Sequence, residues 1–195
     1  MEENLGWLPV KVVELSDGLV VGICGLRGPV DVDVALKLSR EVELSFGVAV
    51  QFFDASLVAT WEHVYFSVLN AVKAIEAGKS IAKSIGVEIL VRLSGQRQIS
   101  VALEMFGLKG GCRMLGLAVV GRERNMVEKV IHYVVEKLGL EDDDAALDVD
   151  RGKAEQIMKA FNIKDEELSA IQAEGESEAL AKCCIERCAL LALES

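Results

Sequence analysis

Proline is nearly absent from this sequence: Pro9 and Pro29 are the only two among 195 residues, and both stand near strand or loop edges. No internal repeat and no low-complexity segment is visible. Long apolar runs are missing too. The longest, residues 19–26, falls far short of the roughly 18 uncharged residues that a membrane-spanning helix needs. The opening Met1-Glu2-Glu3-Asn4 lacks the basic region of a secretory signal. The expectation is a cytosolic, cytoplasmic protein with no membrane partner. Cysteine is present but odd in number: Cys24, Cys112, Cys183, Cys184 and Cys188. Three of the five fall within six residues, which speaks against a disulfide framework and for a reducing compartment.

What is present is globular. Hydrophobic residues make up 51% and charged residues 27%. This excludes wholesale disorder. A chain near this length buries about 70% of the surface its unfolded form exposes, enough for one substantial core. Net charge is −10, which by itself argues against a dedicated nucleic-acid binder. Its distribution changes the argument. Residues 1–69 carry −6 and residues 125–195 carry −9, but residues 70–124 hold nine basic and four acidic side chains. A polyanion could dock on that middle segment if its basic side chains share a face.

Residues 10–14 and 19–24 are short β-branched runs joined by Ser16-Asp17-Gly18, the pattern of a hairpin. Gly25, Gly28 and Pro29 end it. Asp31 or Asp33 caps a helix reaching about residue 44, closed by Gly47. Residues 48–53 read as a strand. From 57 to 77, Val58, Trp61, Tyr65, Val68, Val72 and Ile75 recur at spacings of three and four, predicting a helix with one buried apolar stripe and Gly78 beyond its end. Helices follow over about 80–93 and 100–106, ending at Ser94-Gly95 and Gly107. Lys109-Gly110-Gly111 is a loop, 114–120 a buried-type strand, and 126–138 a helix stopped by Gly139. Glu141-Asp142-Asp143-Asp144 reads as a solvated run within an acidic loop, 141–150. The C-terminal part, 151–195, reads as helices over 153–161, 165–171 and 176–193. The prediction is an α/β fold, a single domain over 1–195 with a small sheet covered by helices.

Catalytic chemistry finds little support. Gly22-x-x-Gly25-x-x-Gly28 has the wrong spacing for a dinucleotide fingerprint, and Lys109-Gly110-Gly111 lacks the Lys-Ser/Thr of a P-loop; both are read as turns. His63 and His132 lie on different helices and read as surface or partly buried side chains. Cys183, Cys184 and Cys188 offer three thiols without a fourth zinc ligand. Leu180, Cys184, Cys188 and Leu191 follow helical spacing and read as packing. Asp54 ends a strand, where it is either a functional carboxylate or a helix cap. One constellation stands apart. Asn70, Lys73, Lys79, Lys83, Arg92, Arg97 and Gln98 recur along successive helices and their joints. Arginine offers a planar fork for phosphate, and glutamine an amide for a base edge. The plain alternative is a solvated face.

At these residues the sequence resembles a known family. Asn70-Ala71-x-Lys73-Ala74, Glu88-Ile89-Leu90, Leu93-Ser94-Gly95-x-Arg97-Gln98-Ile99, Ala102 and Phe106-Gly107-Leu108 are similar to the signature of the CGI family, the TPRKB-like, kinase-binding subunits of the KEOPS complex. The match is closest over 53–120, and the last helix also resembles the family's. The long acidic C-terminal region is similar to archaeal members. The resemblance implies a small, mainly antiparallel sheet with helices around it, no catalytic centre and no cofactor. It implies a subunit that binds and activates a kinase/ATPase subunit and supports threonylcarbamoyl adenosine formation in tRNA, recruiting tRNA by its 3′ CCA end. The tRNA 3′ end is then expected on Asn70, Lys73, Lys79, Lys83, Arg92, Arg97 and Gln98. The kinase is expected on the C-terminal helix at Leu180, Cys184, Ile185, Cys188 and Leu191. Two other classes stay open. One is a protein adaptor that touches no RNA, favoured by the −10 charge. The other is a small-molecule enzyme with a site near Asp54 and the glycine turns.

Overall fold

The computed structural model describes residues 10–16 and 18–193. Pro9, Asp17 and the residues Met1 to Asn4 therefore lie outside the described residues. Strands β1 (Lys11–Glu14) and β2 (Val20–Arg27) form the expected hairpin, with Val13 opposite Val21. β2 runs straight through Gly22 and Gly25, which are strand residues rather than turns. Close packing explains them. A Cβ on Gly22 would meet Ile131 Cδ1 at 2.5 Å, and one on Gly25 would meet the Asp143 carbonyl oxygen. Gly28, at φ +142°, is where the chain does turn.

Helix α1 (Val32–Phe46) is capped by Asp31, whose side chain accepts the Val34 N–H at 3.1 Å. Gly47 ends it in the left-handed region, donating to the Glu43 carbonyl. β3 (Ala49–Asp54) leads to a 3-10 turn (Ala55–Leu57) and then α2 (Trp61–Glu76). α3 (Ile85–Ser94), α4 (Ile99–Phe106), β4 (Met114–Gly121), α5 (Arg124–Leu138), β5 (Glu141–Asp142), α6 (Arg151–Phe161), α7 (Asp165–Ala170) and α8 (Glu176–Leu193) complete the order.

The sheet is antiparallel, in the order β1-β2-β4-β3, with β5 added along the far end of β2. Both of its faces are covered. One carries α1 and α5, packing Leu38, Val42, Val130 and Val134 on Cys24, Leu26, Leu117 and Val119. The other carries α2, α3, α4 and α6–α8 over Val21, Ile23, Phe53 and Ala118. Two-sided burial explains why β2 and β4 read as continuous apolar runs rather than alternating ones. Both edges are occupied by side chains. Arg124 and Tyr65 donate to the Val12 and Glu14 carbonyls on β1, and Glu43 accepts the Val50 N–H on β3. Such contacts keep other strands from adding to the sheet. Among the described residues, no helix is long and apolar enough to cross a membrane.

Two local expectations need correction. The buried face of α2 is Val64, Val68, Ala71 and Val72, together with His63 and Ser67. Trp61 and Tyr65 are half-buried, and Ile75 is 39% exposed. The helix is packed by the sheet and by α3 and α8 together, so its small side chains turn inward. Trp61 and Tyr65 form a rim under β1, with Lys11 Nζ 5.4 Å from the Trp61 ring centroid. The acidic run is not a solvated loop. Glu141 and Asp142 pair with Arg27 and Leu26, Asp143 binds Arg27 at 2.6 Å, and Ala146 and Leu147 anchor the following turn in the core.

Candidate functional site

The residues singled out by sequence gather on the helical layer formed by α2, α3, α4 and α8. α2 begins at Thr60, which caps the His63 N–H, and α3 ends at Gly95 in the left-handed region. The two helices run antiparallel. His63 near the start of α2 meets Leu93 near the end of α3, its Nε2 lying 3.0 Å from the Leu93 carbonyl oxygen. A carbonyl only accepts, so Nε2 carries the proton. Nδ1 accepts from the Ala59 N–H at 3.4 Å. The imidazole is thus held neutral, wholly buried against Phe106 and Phe161. Burial pushes its pKa down to about 4.

That shift carries a pH dependence. The unfolded chain takes up a proton near pH 6.5 and the folded one only near 4, so stability falls as pH drops through this window. The full loss is about 3 kcal/mol. Thermal melts at pH 7 and pH 5 should show about 2 kcal/mol of it in the wild type, and a clearly smaller change in His63→Phe. Equal slopes for the two proteins would dismiss His63 as the titrating group.

The basic constellation is divided by the fold. Lys79 and Lys83 are exposed on the α2–α3 loop, and Lys73 is exposed on the last turns of α2. Arg97 and Gln98 are exposed at the α3–α4 joint. The loop and the joint are separated by the length of α3, about 15 Å for ten residues. Asn70 is half-buried on α2. At the joint, Arg97 and Gln98 share a groove with Val101, Arg187, Leu190 and Leu191. Arg187 is paired with Glu167 at 2.7 Å.

Arg92 is a correction. It is fully buried and ion-paired with Glu88, Nε and Nη2 lying 2.8 and 2.7 Å from Oε1. The other carboxylate oxygen of Glu88 accepts the N–H groups of Ile81 and Ala82 at 2.9 and 2.7 Å. Arg92 is therefore not a surface phosphate ligand but part of the clamp that shapes the α2–α3 loop. The clamp also explains why α3 starts at Ile85 and not near 80: residues 81–84 bend around the Glu88 carboxylate.

α8 lies against α2, with Cys188 Sγ 3.4 Å from Ser67 Oγ. Leu180, Cys184, Cys188 and Leu191 are buried in this contact. As placed, they face the interior and present no surface to a partner, because the apolar stripe of α8 is spent on α2 and α3. Ile185 is half-buried. Outside this contact, Leu190 and Leu193 on α8 and Phe66 on α2 are exposed apolar side chains that the helical stripes do not include. Their signal was the excess of leucines beyond what one buried face of α8 needs.

The thiols are set for packing. Burial raises Cys188 to about 12 and raises Cys24 and Cys184 further, away from the thiolate form that reacts or binds metal. Among the described residues, no group of three His, Cys, Asp or Glu side chains is placed to hold a metal ion. Asp54 caps the 3-10 turn, accepting the Ser56 N–H at 2.9 Å. Nearby Lys153, which sequence reading passed over, is buried, its Nζ donating to the Ala146 and Asp148 carbonyls at 2.8 and 2.9 Å. Burial lowers its pKa to about 8. Both side chains tie α6 and the turns beneath it to the sheet.

Exposed apolar and basic side chains thus lie over a packed interior in this helical layer. The family described as "Kinase binding protein CGI-121" matches residues 31–192. The chain is 32% identical over 142 residues to the "Regulatory protein Cgi121" of Methanocaldococcus jannaschii, covering 73% of this chain and 84% of that protein. It is 42% identical over 50 residues to the "KEOPS complex subunit Cgi121" of Pyrococcus abyssi, covering 26% of this chain and 29% of that one. The match to the family spans every element from the cap of α1 to the last helix, and the chain belongs to the CGI-121 family of kinase-binding proteins.

Proposed function

We propose that this protein is a non-catalytic, cytoplasmic subunit of a KEOPS complex. It binds and activates the kinase/ATPase subunit, recruits tRNA through its 3′ CCA end, and so supports threonylcarbamoyl adenosine modification. The observation that carries the reading is family membership together with the exposed apolar side chains of α8 and α2. Leu193 is 83% exposed, Leu190 45% and Phe66 38%. Large apolar side chains left in water mark a docking surface. The kinase contact of α8 thus lies on Leu190 and Leu193, round from the buried stripe. Lys73, Lys79, Lys83, Arg97 and Gln98 supply the RNA contacts. RNA phosphates need cations, and residues 70–124 hold the positive excess of the chain.

A second reading, an adaptor that binds the kinase and no RNA, is favoured by the net charge of −10. One experiment separates the two: capture of the kinase subunit on the immobilised protein, then a tRNA shift with and without the CCA end. Leu190→Asp should reduce kinase capture at least tenfold, a loss of about 1.4 kcal/mol, in a normally folded protein. Lys79→Glu with Lys83→Glu should weaken the tRNA shift and leave kinase capture intact. Kinase capture with no tRNA shift at low salt selects the adaptor. Undiminished capture by a folded Leu190→Asp variant removes α8 as the contact.

A further inference from the structure

We propose that two copies of this chain associate through α1, the two helices packing antiparallel about a two-fold axis. The kinase and RNA readings above make no use of α1, so the pairing stands apart from both. Ala35, Leu38 and Val42 turn one side of α1 into the core beneath it. The opposite side is not wholly polar. Leu44 is 89% exposed, more than any other large apolar side chain among the described residues, and Val34 and Leu36 are exposed as well. α5 lies beside α1 and exposes Arg124, Lys129, Glu136 and Lys137 instead. The outer side of this layer can therefore be solvated without such side chains, and large apolar groups left in water mark a docking surface.

Charge order identifies the occupant. Val34, Lys37, Glu41 and Leu44 are all exposed and stand three, four and three residues apart. That spacing keeps side chains on one side of a helix and forms the seam between paired helices. From either end the seam runs apolar, charged, charged, apolar, and its two charges are opposite in sign. Antiparallel pairing with the axis level with Ser39 sets Val34 against Leu44 of the second copy and Lys37 against its Glu41. The two-fold axis repeats both contacts, so the patch is its own complement. Parallel pairing would set Lys37 on Lys37 and Glu41 on Glu41, like charges that cost affinity. A different partner would need the reverse order of charges, which a second copy already carries. Within one helix the pair is weak, because lysine preceding glutamate at this spacing is the less favourable order. Among the described residues, neither side chain is held in an ion pair. The Asp31 cap and Gly47 fix both ends of α1, so the seam lies on a continuous helix of 15 residues, about 22 Å long. A single pair of such helices belongs with small interfaces, below about 1,200 Å². The association is accordingly weak, with a Kd between about 1 μM and 1 mM.

Sedimentation equilibrium of the full chain across that concentration range tests the pairing. The wild type should move from the 21.1 kDa of one chain toward twice that mass. Leu44→Asp should weaken association at least about tenfold and melt like the wild type, since the leucine side chain already stands in water. Lys37→Glu and Glu41→Lys should each stay at the mass of one chain, because either change sets like charges against each other at both symmetric contacts. Mixed in equal amounts, these two variants should associate with one another, since every contact then joins opposite charges. Placing both changes in one chain should restore self-association for the same reason. A wild type that remains a single chain at about 1 mM overturns the proposal, as does a Leu44→Asp protein that pairs undiminished. Failure of the two charge variants to associate on mixing, in a wild type that does pair, overturns the antiparallel register. A monomeric wild type whose kinase capture is lost in Leu44→Asp would give this face to the kinase subunit and not to a second copy.

Discussion

Replacing Arg92 by leucine should cost about 3–5 kcal/mol of stability, the range seen when one partner of a buried ion pair is removed. Arg92 and Glu88 are both completely enclosed, and Glu88 stays behind as a carboxylate without its countercharge. Its two backbone donors, Ile81 and Ala82, remain but carry no net charge. For a chain of this size, the thermal midpoint should drop by about 10 °C.

A second substitution makes the argument decisive. Glu88→Gln keeps a carbonyl oxygen able to accept from Ile81 or Ala82 but has no charge to neutralise. Added to Arg92→Leu, it should restore part of the lost stability, giving a coupling of at least about 1 kcal/mol in a double-mutant cycle. Additive effects, or an Arg92→Leu protein that melts like the wild type, would contradict the clamp.

The clamp shows what sequence pattern makes visible and what it hides. Glu88 and Arg92 stand four apart on a helix, the spacing of an ordinary exposed ion pair. Local chemistry cannot distinguish the two cases. Burial of this pair is supplied by the elements that enclose α3, namely α2, α4, β3 and α8, the last of which begins more than eighty residues later. The same reason accounts for α2. Its heptad-like stripe points at Trp61, Tyr65 and Ile75, but packing from more than one side selects Val64, Ser67 and Ala71 instead. The capping signals were legible because they are local. Asp31, Gly47, Gly95 and Gly139 each satisfy backbone groups within a few residues, and each terminates its helix where the sequence predicts. The family signature was legible for another reason: much of it, including Glu88, Ile89, Leu93, Ala102 and Phe106, consists of side chains that hold α3 and α4 in place. It reports the scaffold more than the binding surface. Within it, Lys73, Arg97 and Gln98 are exposed and Arg92, which lies between its motifs, is not.

Cys184→Asp should unfold the protein at neutral pH, where a surface substitution would leave it folded. Cys184 has no exposed surface and sits among Leu180, Cys188 and the side chains of α2. The cation nearby, Arg187, is already ion-paired with Glu167 at 2.7 Å, and burying a carboxylate there ionised costs far more than the 5–15 kcal/mol that keeps a typical domain folded unless it takes up a proton. Its pKa in the folded state must therefore rise above the usual value near 4. Stability is then retained below that usual value and lost as pH climbs through the raised one. The variant should show a cooperative melt near pH 4 and a much weaker one, or none, at pH 7. The neighbouring Ile185→Glu is the control. Ile185 is half-buried beside the open groove between α8 and the start of α2, so its carboxylate can reach water, and the variant should melt within a few degrees of the wild type at both pH values. A Cys184→Asp protein as stable as Ile185→Glu at pH 7 would show that α8 does not dock on α2 as described. The buried stripe would then be exposed, and the partner surface would revert to Leu180, Cys184, Cys188 and Leu191. The reverse result, collapse of Cys184→Asp and survival of Ile185→Glu, confines any kinase contact of α8 to its outer side.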